Sequence, residues 1–244
     1  MNPISIPINN DLKLETNDVE SLNHGCNKCF IKSICLPIDF NLSLINKIVK
    51  KQPIFKRKDF VFQIGQAFQG IYVIQSGTIK RYRINHHGDE EVIGFFLPGE
   101  LIGFEAIHSG LHNSSAVCLS TTRTCKIELK TLLSAATENP QLQIQLLKLM
   151  SWNLALQEGI MHQRTAEQKV ASFLLSLFYR YHFDEISNTE FALPMSRQDI
   201  GNYLNLAAET VSRIISQFQH IGLLTVKYKY IKLIKIKNLE KIAF

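Results

Sequence analysis

Apolar and polar positions change their period along the chain, and the changes divide it. From Asp59 onward the apolar residues come in short runs: FVFQI, IYVIQ, TIKRYRI, EVIGFF, SAVCL and TCKIEL. They are β-branched or aromatic, and often alternate with polar residues. Gly65, Gly77, Gly88, Gly99 and Gly110 punctuate them at intervals of 11 or 12 residues. Short strands closed by turn residues at that interval predict an antiparallel sandwich or barrel. IQSGTIK and INHHGDEE read as hairpin turns, with Gly77 and Gly88 able to take positive φ. Upstream, NLSLINKIVKKQ (41–52) reads as a short amphipathic helix that Pro53 ends. Residues 1–23 are polar and aperiodic, as in a loose arm.

Further on the period lengthens. NPQLQIQLLKLMSWNLALQEGIMHQR places Leu142, Leu146, Leu149, Leu156 and Ile160 on one helical stripe that includes Asn153. A second stripe runs through Leu147, Met150, Leu154 and Met161. One helix with two apolar stripes has two surfaces to cover. The pair expected is its own β domain and the same helix of a second subunit, meeting through Leu146, Leu149, Leu156 and Ile160. Asn153 resembles a register-fixing polar residue. An ordinary core helix is the plainer alternative. TAEQKVASFLLSLFYRYHF then predicts another amphipathic helix, and SNTEFALP a loop or short strand.

MSRQDIGNYLNLAAETVSRIISQFQHIGLLTV (195–226) reads as helix, tight turn, helix. Ser196 suits an N-cap. Asn205 falls at the turn, where it tolerates a left-handed conformation best among non-glycine residues. A second helix, about Ala208 to His220, turns Val211, Ile214, Ile215 and Phe218 inward and Glu209, Ser212 and Arg213 outward. In a helix-turn-helix such first-turn residues meet base edges in the major groove. Arginine suits guanine O6 and N7, and glutamate accepts from cytosine N4. LLTVKYKYIKLIKI follows as a basic β-hairpin, a wing able to touch phosphates.

Charge sharpens this picture. The net charge is +6, and residues 196–244 hold eight positive and three negative side chains, leaving +5 there. That is the footprint of a polyanion partner, or of a solvated basic tail. Arg197 joins Glu209, Ser212 and Arg213 as a candidate DNA contact. Over the whole 244 residues, 45% apolar and 20% charged composition fits a globular protein. No run is long and apolar enough to span a bilayer, and the N-terminus does not read as a secretory signal. A cytoplasmic protein with no membrane partner is expected. The domains expected are an arm over 1–38, an antiparallel β domain over 39–136, a dimerisation helix over 137–164 and a winged helix-turn-helix over 165–244, an α+β architecture.

HGCNKCFIKSICLP puts Cys26, Cys29 and Cys35 within ten positions; the other cysteines are Cys118 and Cys125. Disulfides are rare in the cytoplasm. Metal ligands, as in a structural zinc site, a redox-sensing thiol–disulfide switch and inert core residues are the readings open to such thiols.

The order β-roll, long helix, winged helix containing IGNYLNLAAETVSR resembles the regulators typified by the cyclic-AMP receptor protein. CNKCFIKSIC and SGTIKRYRINHHGDEEVIGFFLPGELIGFEAI resemble its FNR branch, the oxygen-responsive fumarate and nitrate reduction regulators. The likeness runs from Cys26 to about Ile236. It implies an N-terminal antiparallel β-roll of the cyclic-nucleotide-binding type, a long dimerisation helix and a C-terminal winged helix-turn-helix. It implies one oxygen-labile [4Fe–4S] cluster per subunit, held by Cys26, Cys29, Cys35 and a β-roll cysteine. TCKIEL matches the family's strand, so Cys125 is that ligand, and Cys118 in VCL a buried small hydrophobe. It implies a homodimer that reads TTGAT-type inverted repeats without oxygen through Glu209, Ser212 and Arg213, regulating anaerobic genes. Gly88, Asp89 and Glu90 match a surface that the family turns to RNA polymerase. The cAMP-binding relatives carry an Arg-Ser pair after the G-E-L turn. Here LHNSSAV has no arginine, so no cyclic nucleotide is expected. No Gly-rich nucleotide loop, acid–base pair or nucleophile elbow suggests an enzyme.

Overall fold

The computed structural model describes residues 49–138, 140, 143, 144, 146–148, 150, 151, 165–181 and 189–244. Eight strands come first: β1 (Val49–Lys51), β2 (Phe60–Phe62), β3 (Ile71–Ser76), β4 (Ile79–Ile84), β5 (Glu90–Phe96), β6 (Leu101–Ile102), β7 (Ser115–Cys118) and β8 (Arg123–Ile127). They build two four-stranded sheets, β1-β8-β3-β6 and β2-β7-β4-β5, with every pairing antiparallel.

Alternation explains how β3 holds this roll together. Successive side chains point to opposite faces of a strand. Tyr72 and Ile74 face Phe62, Ile79, Ala116 and Cys118 in the core between the sheets. Ile71 and Val73 face outward, into a cluster with Leu101, Cys125 and Ile127. Helix α1 (Leu129–Glu138) covers that outer face with Leu132 and Ala136, and Leu146 packs on the same cluster.

Two sequence expectations change here. Residues 49–51, expected as the end of a helix, are β1: Val49 pairs with Ile127, Lys50 with Lys126 and Lys51 with Cys125. Val49 packs on the outer apolar cluster, so ladder hydrogen bonds and burial outweigh a weak helical period. The part of that segment before Val49 lies outside the described residues, as does the arm over 1–38. IQSGTIK is not a hairpin, because β3 and β4 belong to different sheets. Gly77 (φ 92°) turns the chain from one sheet to the other, and a Cβ there would sit 2.4 Å from Thr122 Oγ1. INHHGDEE is a hairpin, with Ile84 opposite Glu90 and Gly88 at φ 85°.

The second half comprises α2 (Ala166–Tyr181), β9 (Glu190–Ala192), α3 (Arg197–Leu204), α4 (Ala208–His220), β10 (Leu224–Lys227), β11 (Tyr230–Leu233) and α5 (Ile236–Ala243). Strands β10 and β11 pair as the expected hairpin, and β9 adds to β11. The terminal α5, not foreseen, buries Leu239 and Ala243 in the common core. That core crosses the halves: Val92, Phe95 and Leu97 of the β-roll pack with Phe173, Phe178, Ile200, Ile214 and Phe218.

Candidate nucleic-acid interface

Helix α3 starts at a capping box. Ser196 Oγ accepts from the Asp199 backbone N–H at 3.0 Å, and Asp199 Oδ2 accepts from the Ser196 N–H at 3.0 Å. Two backbone donors that a helix start leaves unpaired are satisfied reciprocally. The helix ends at Asn205, in the left-handed region as expected (φ 52°, ψ 54°). Leu206 N–H donates to the Gly201 carbonyl at 2.9 Å. A Cβ on Gly201 would sit 2.5 Å from the Leu206 oxygen, so the turn closes this tightly only over glycine. Lys169 Nζ, from α2, donates to the Leu204 carbonyl at 3.0 Å, a cation where the helix dipole is negative.

Helix α4 spans the residues expected of it. Val211, Ile214, Ile215 and Phe218 are buried, while Glu209 and Arg213 are exposed. Ser212 is half-buried, and its Oγ donates to the Ala208 carbonyl at 2.9 Å. Its hydroxyl proton is engaged within the helix, so toward a ligand it acts as an acceptor. The N-cap, Ala207, supplies no side-chain oxygen to the first-turn N–H groups, which suits an incoming phosphate. Lys227, Tyr228, Lys229 and Tyr230 stand exposed at the wing tip. Arg197 is half-buried at the start of α3 beside that wing.

Charged groups that sequence reading did not single out fix this unit to the β-roll. Lys80 Nζ on β4 donates to Asp199 Oδ1 at 2.7 Å and to Glu90 Oε2 at 2.6 Å. Burial alone would raise the Asp199 pKa, but the bonds from Lys80 and Ser196 hold it below its ordinary value. Arg180, at the end of α2, pairs with Glu100. Tyr203 of α3 lies edge-on to Phe95 and Phe173, with ring centres 5.4 and 5.8 Å away. Ion pairs between segments 80 or more residues apart leave no periodic signature.

The other sequence-named residues separate. Gly88 and Asp89 are exposed at the β4–β5 tip, where Asn85 Oδ1 accepts from the His87 and Asp89 N–H groups at 2.9 and 3.0 Å. Glu90 differs, because its carboxylate is held by Lys80. Cys26, Cys29, Cys35, Leu149, Leu156 and Ile160 lie outside the described residues. Leu146, expected at the dimer contact, packs instead on its own β-roll, whose outer apolar cluster partly buries it, while Ile144, Leu147 and Met150 are exposed.

The remaining cysteines occupy opposite sides of a sheet. Cys118 is sealed between the sheets and 1% exposed; burial raises its pKa. Cys125 lies on the outer face, in the cluster that Leu146 joins. It stands opposite Lys51 on β1, the strand continuing the cysteine-bearing segment. Gln75 Nε2 donates to its sulfur at 2.8 Å. Among the described residues no three His, Cys, Asp or Glu side chains form a metal-ligand group, and no helix is long and apolar enough to cross a membrane.

A β-roll packed on a winged helix-turn-helix defines a DNA-binding transcription regulator of the type of the cyclic-AMP receptor protein. The Crp-like helix-turn-helix domain matches residues 168–242, and the cyclic nucleotide-binding domain matches residues 53–139. The chain is 38% identical over 224 residues to the fumarate and nitrate reduction regulatory protein of Salmonella typhi, across 89% of this chain and 88% of that one. To the protein of that name from Escherichia coli K12 it is 37% identical with the same coverage. Among solved structures, FixK2 from Bradyrhizobium japonicum is similar at a TM-score of 0.71 and 27% identity, over 81% of this chain and 98% of that one. CooA from Carboxydothermus hydrogenoformans, at 15% identity and a TM-score of 0.67 over 88% of this chain and 95% of that one, shares the fold. The chain belongs to the FNR family of transcription regulators, the fumarate and nitrate reduction regulatory proteins of the CRP class.

Proposed function

We propose that this regulator is an oxygen sensor that binds DNA as a homodimer in the cytoplasm and controls anaerobic gene expression. The position of Cys125 carries the reading. Its sulfur is on the sheet face shared with Leu146 of the long helix, and across the ladder from the strand the cysteine-bearing arm leads into.

A [4Fe–4S] cluster takes four cysteine thiolates, and Cys26, Cys29, Cys35 and Cys125 supply four. Such a group, when bound, supplies an oxygen-labile link between arm and β-roll. The chain's own residues do the rest. Cys125 holds the arm against the outer cluster, and Leu146 carries the position of that cluster into the helix. Leu147 and Met150, exposed on the same helix, meet their counterparts in a second copy. Leu154 and Met161, on the stripe that Leu147 and Met150 share, extend the contact. Dimerisation sets two α4 helices about 34 Å apart, one turn of DNA. Arg213 and Glu209 read the bases of a TTGAT-type inverted repeat, with Ser212 accepting. Gly88 and Asp89 present an ordered, exposed turn to RNA polymerase.

The β-roll interior supports control without a cyclic nucleotide. Arg81, a largely buried cation of the roll, pairs with Glu105 Oε2 at 3.4 Å and donates to Ser114 Oγ at 3.1 Å. Glu105 Oε1 lies 3.1 Å from His112 Nδ1, and His112 stacks on Phe62 at 3.8 Å. The Arg81 charge is thereby already paired within the roll.

The test is iron and acid-labile sulfide per chain after anaerobic purification, with the visible spectrum followed as air enters. About four of each, bleaching in air, is expected. One zinc, or no metal, overturns the oxygen-sensing reading and leaves a regulator with a structural site or thiol switch.

A further inference from the structure

A cleft of about 300 Å³ opens where the β-roll meets the wing. Arg57, from the segment between β1 and β2, lines one side; Ser196 and Arg197 at the start of α3, and Tyr228 and Lys229 at the wing tip, line the other. Three cations and no carboxylate face this space. The contrast with the rest of the boundary is sharp. Lys80 has Asp199 and Glu90, and Arg180 has Glu100. Among the described residues, no carboxylate lies in ion-pair contact with Arg57, Arg197 or Lys229. Asp199, two residues after Arg197, is committed to Lys80 and Ser196 and does not line the cleft. Burial lowers the Arg197 pKa with nothing to offset it. A half-buried guanidinium and two exposed cations that line one cleft without a counter-charge are stabilised by an anion, and a guanidinium matches a phosphate in two-pronged fashion.

The wing geometry points the same way. Tyr228 turns the β10–β11 hairpin at φ 55° and is 93% exposed. Positive φ in a bulky residue is an outlier that its surroundings must enforce. Here the enforcing element is the Lys227–Tyr230 pair, and the result sets Lys229 at the cleft rim.

We propose that this cleft is a phosphate-binding site in which Arg57 of the β-roll completes a grip begun by Arg197 and Lys229 of the DNA-binding unit. The phosphate belongs either to the DNA backbone outside the bases that α4 reads or to a free phosphorylated small molecule. The first source rests on the DNA-binding reading above; the second does not.

Arg57 is exposed, so Arg57→Ala leaves the fold intact, and Arg57→Lys keeps the charge. Full-length protein is titrated with two duplexes carrying the inverted repeat, one with minimal flanks and one extended by about ten base pairs on each side, a helical turn. Affinity is followed against salt. If backbone phosphate fills the cleft, Arg57→Ala makes the salt slope shallower by about one per half-site on the long duplex only, and Arg57→Lys largely restores it. In a second arm, inorganic pyrophosphate is titrated calorimetrically without DNA. Binding by the parent that weakens at least tenfold in Arg57→Ala assigns the cleft to free phosphates. Arg57→Ala indistinguishable from the parent in both arms overturns the proposal. A parent that binds neither duplex overturns the DNA-binding reading instead, and the pyrophosphate arm alone then decides the cleft.

Discussion

Arg180 and Glu100 form a two-pronged ion pair across the boundary of the two halves: Nε lies 2.6 Å from Oε1 and Nη2 lies 2.7 Å from Oε2. Their side chains are 11% and 9% exposed. Glu100 also accepts from the Leu97 N–H at 3.0 Å, and Arg180 donates to the Phe95 carbonyl. Burial alone would lower the Arg180 pKa; Glu100 more than offsets it, so the guanidinium stays charged. Removing one partner strands a buried charge, which costs about 3–5 kcal/mol. Glu100→Ala is expected to lose that much in urea unfolding, and Glu100→Ala with Arg180→Met to lose less than Glu100→Ala alone. A double variant as unstable as the sum of the singles refutes the coupling.

The Lys80–Asp199 bond gives an acid dependence. Asp199 has a folded pKa below its ordinary value. Its contribution to stability is therefore complete above the unfolded carboxylate pKa, about 3.9, and is lost as pH falls through the depressed folded value. Asp199→Asn should flatten the acid limb of a stability–pH curve while leaving its neutral part parallel to the parent's.

Base reading should divide unequally. Arg213→Ala is expected to weaken specific binding by about 1–3 kcal/mol and relax the guanine preference. Ser212, whose hydroxyl already bonds Ala208, should lose much less on conversion to alanine. Fluorescence anisotropy with matched and mismatched duplexes measures both, and equal losses would contradict the geometry.

Leu146 and Leu147 are neighbours with opposite surroundings: the first packs on the outer cluster and the second is exposed. Leu147→Glu, at a 66% exposed position, should shift sedimentation toward monomer with the thermal midpoint of the chain little changed. Leu146→Ala should lower stability by hollowing the outer cluster before it changes assembly.

Cys125→Ala should abolish the visible absorption of anaerobic protein, whereas Cys118→Ala should keep it and lose only packing between the sheets. The reverse pattern reassigns the β-roll ligand to Cys118.

Local pattern carried much of this architecture. Ser196, Asn205 and the α4 face announce themselves because caps, left-handed residues and helical stripes are properties of neighbouring residues. Gly77 was legible as a positive-φ turn, but not as a crossing between sheets, since strand partnership depends on β7 and β8 some forty residues away. Val49–Lys51 misled for the same reason: its strand exists because β8 offers an edge. Of the site, Glu209 and Arg213 were legible from helical phase. Lys80, Glu100 and Arg57 were not, because what matters in them is a partner, or the lack of one, in another part of the chain.

Val92, Phe95 and Leu97 are β-roll residues by sequence and DNA-binding-unit residues by packing. The protein is therefore not a sensor cassette joined to a reader cassette. A chimera spliced just before α2 inherits half a core from each parent, and grafting this DNA-binding unit onto a foreign β-roll succeeds only if β5 and Glu100 travel with it.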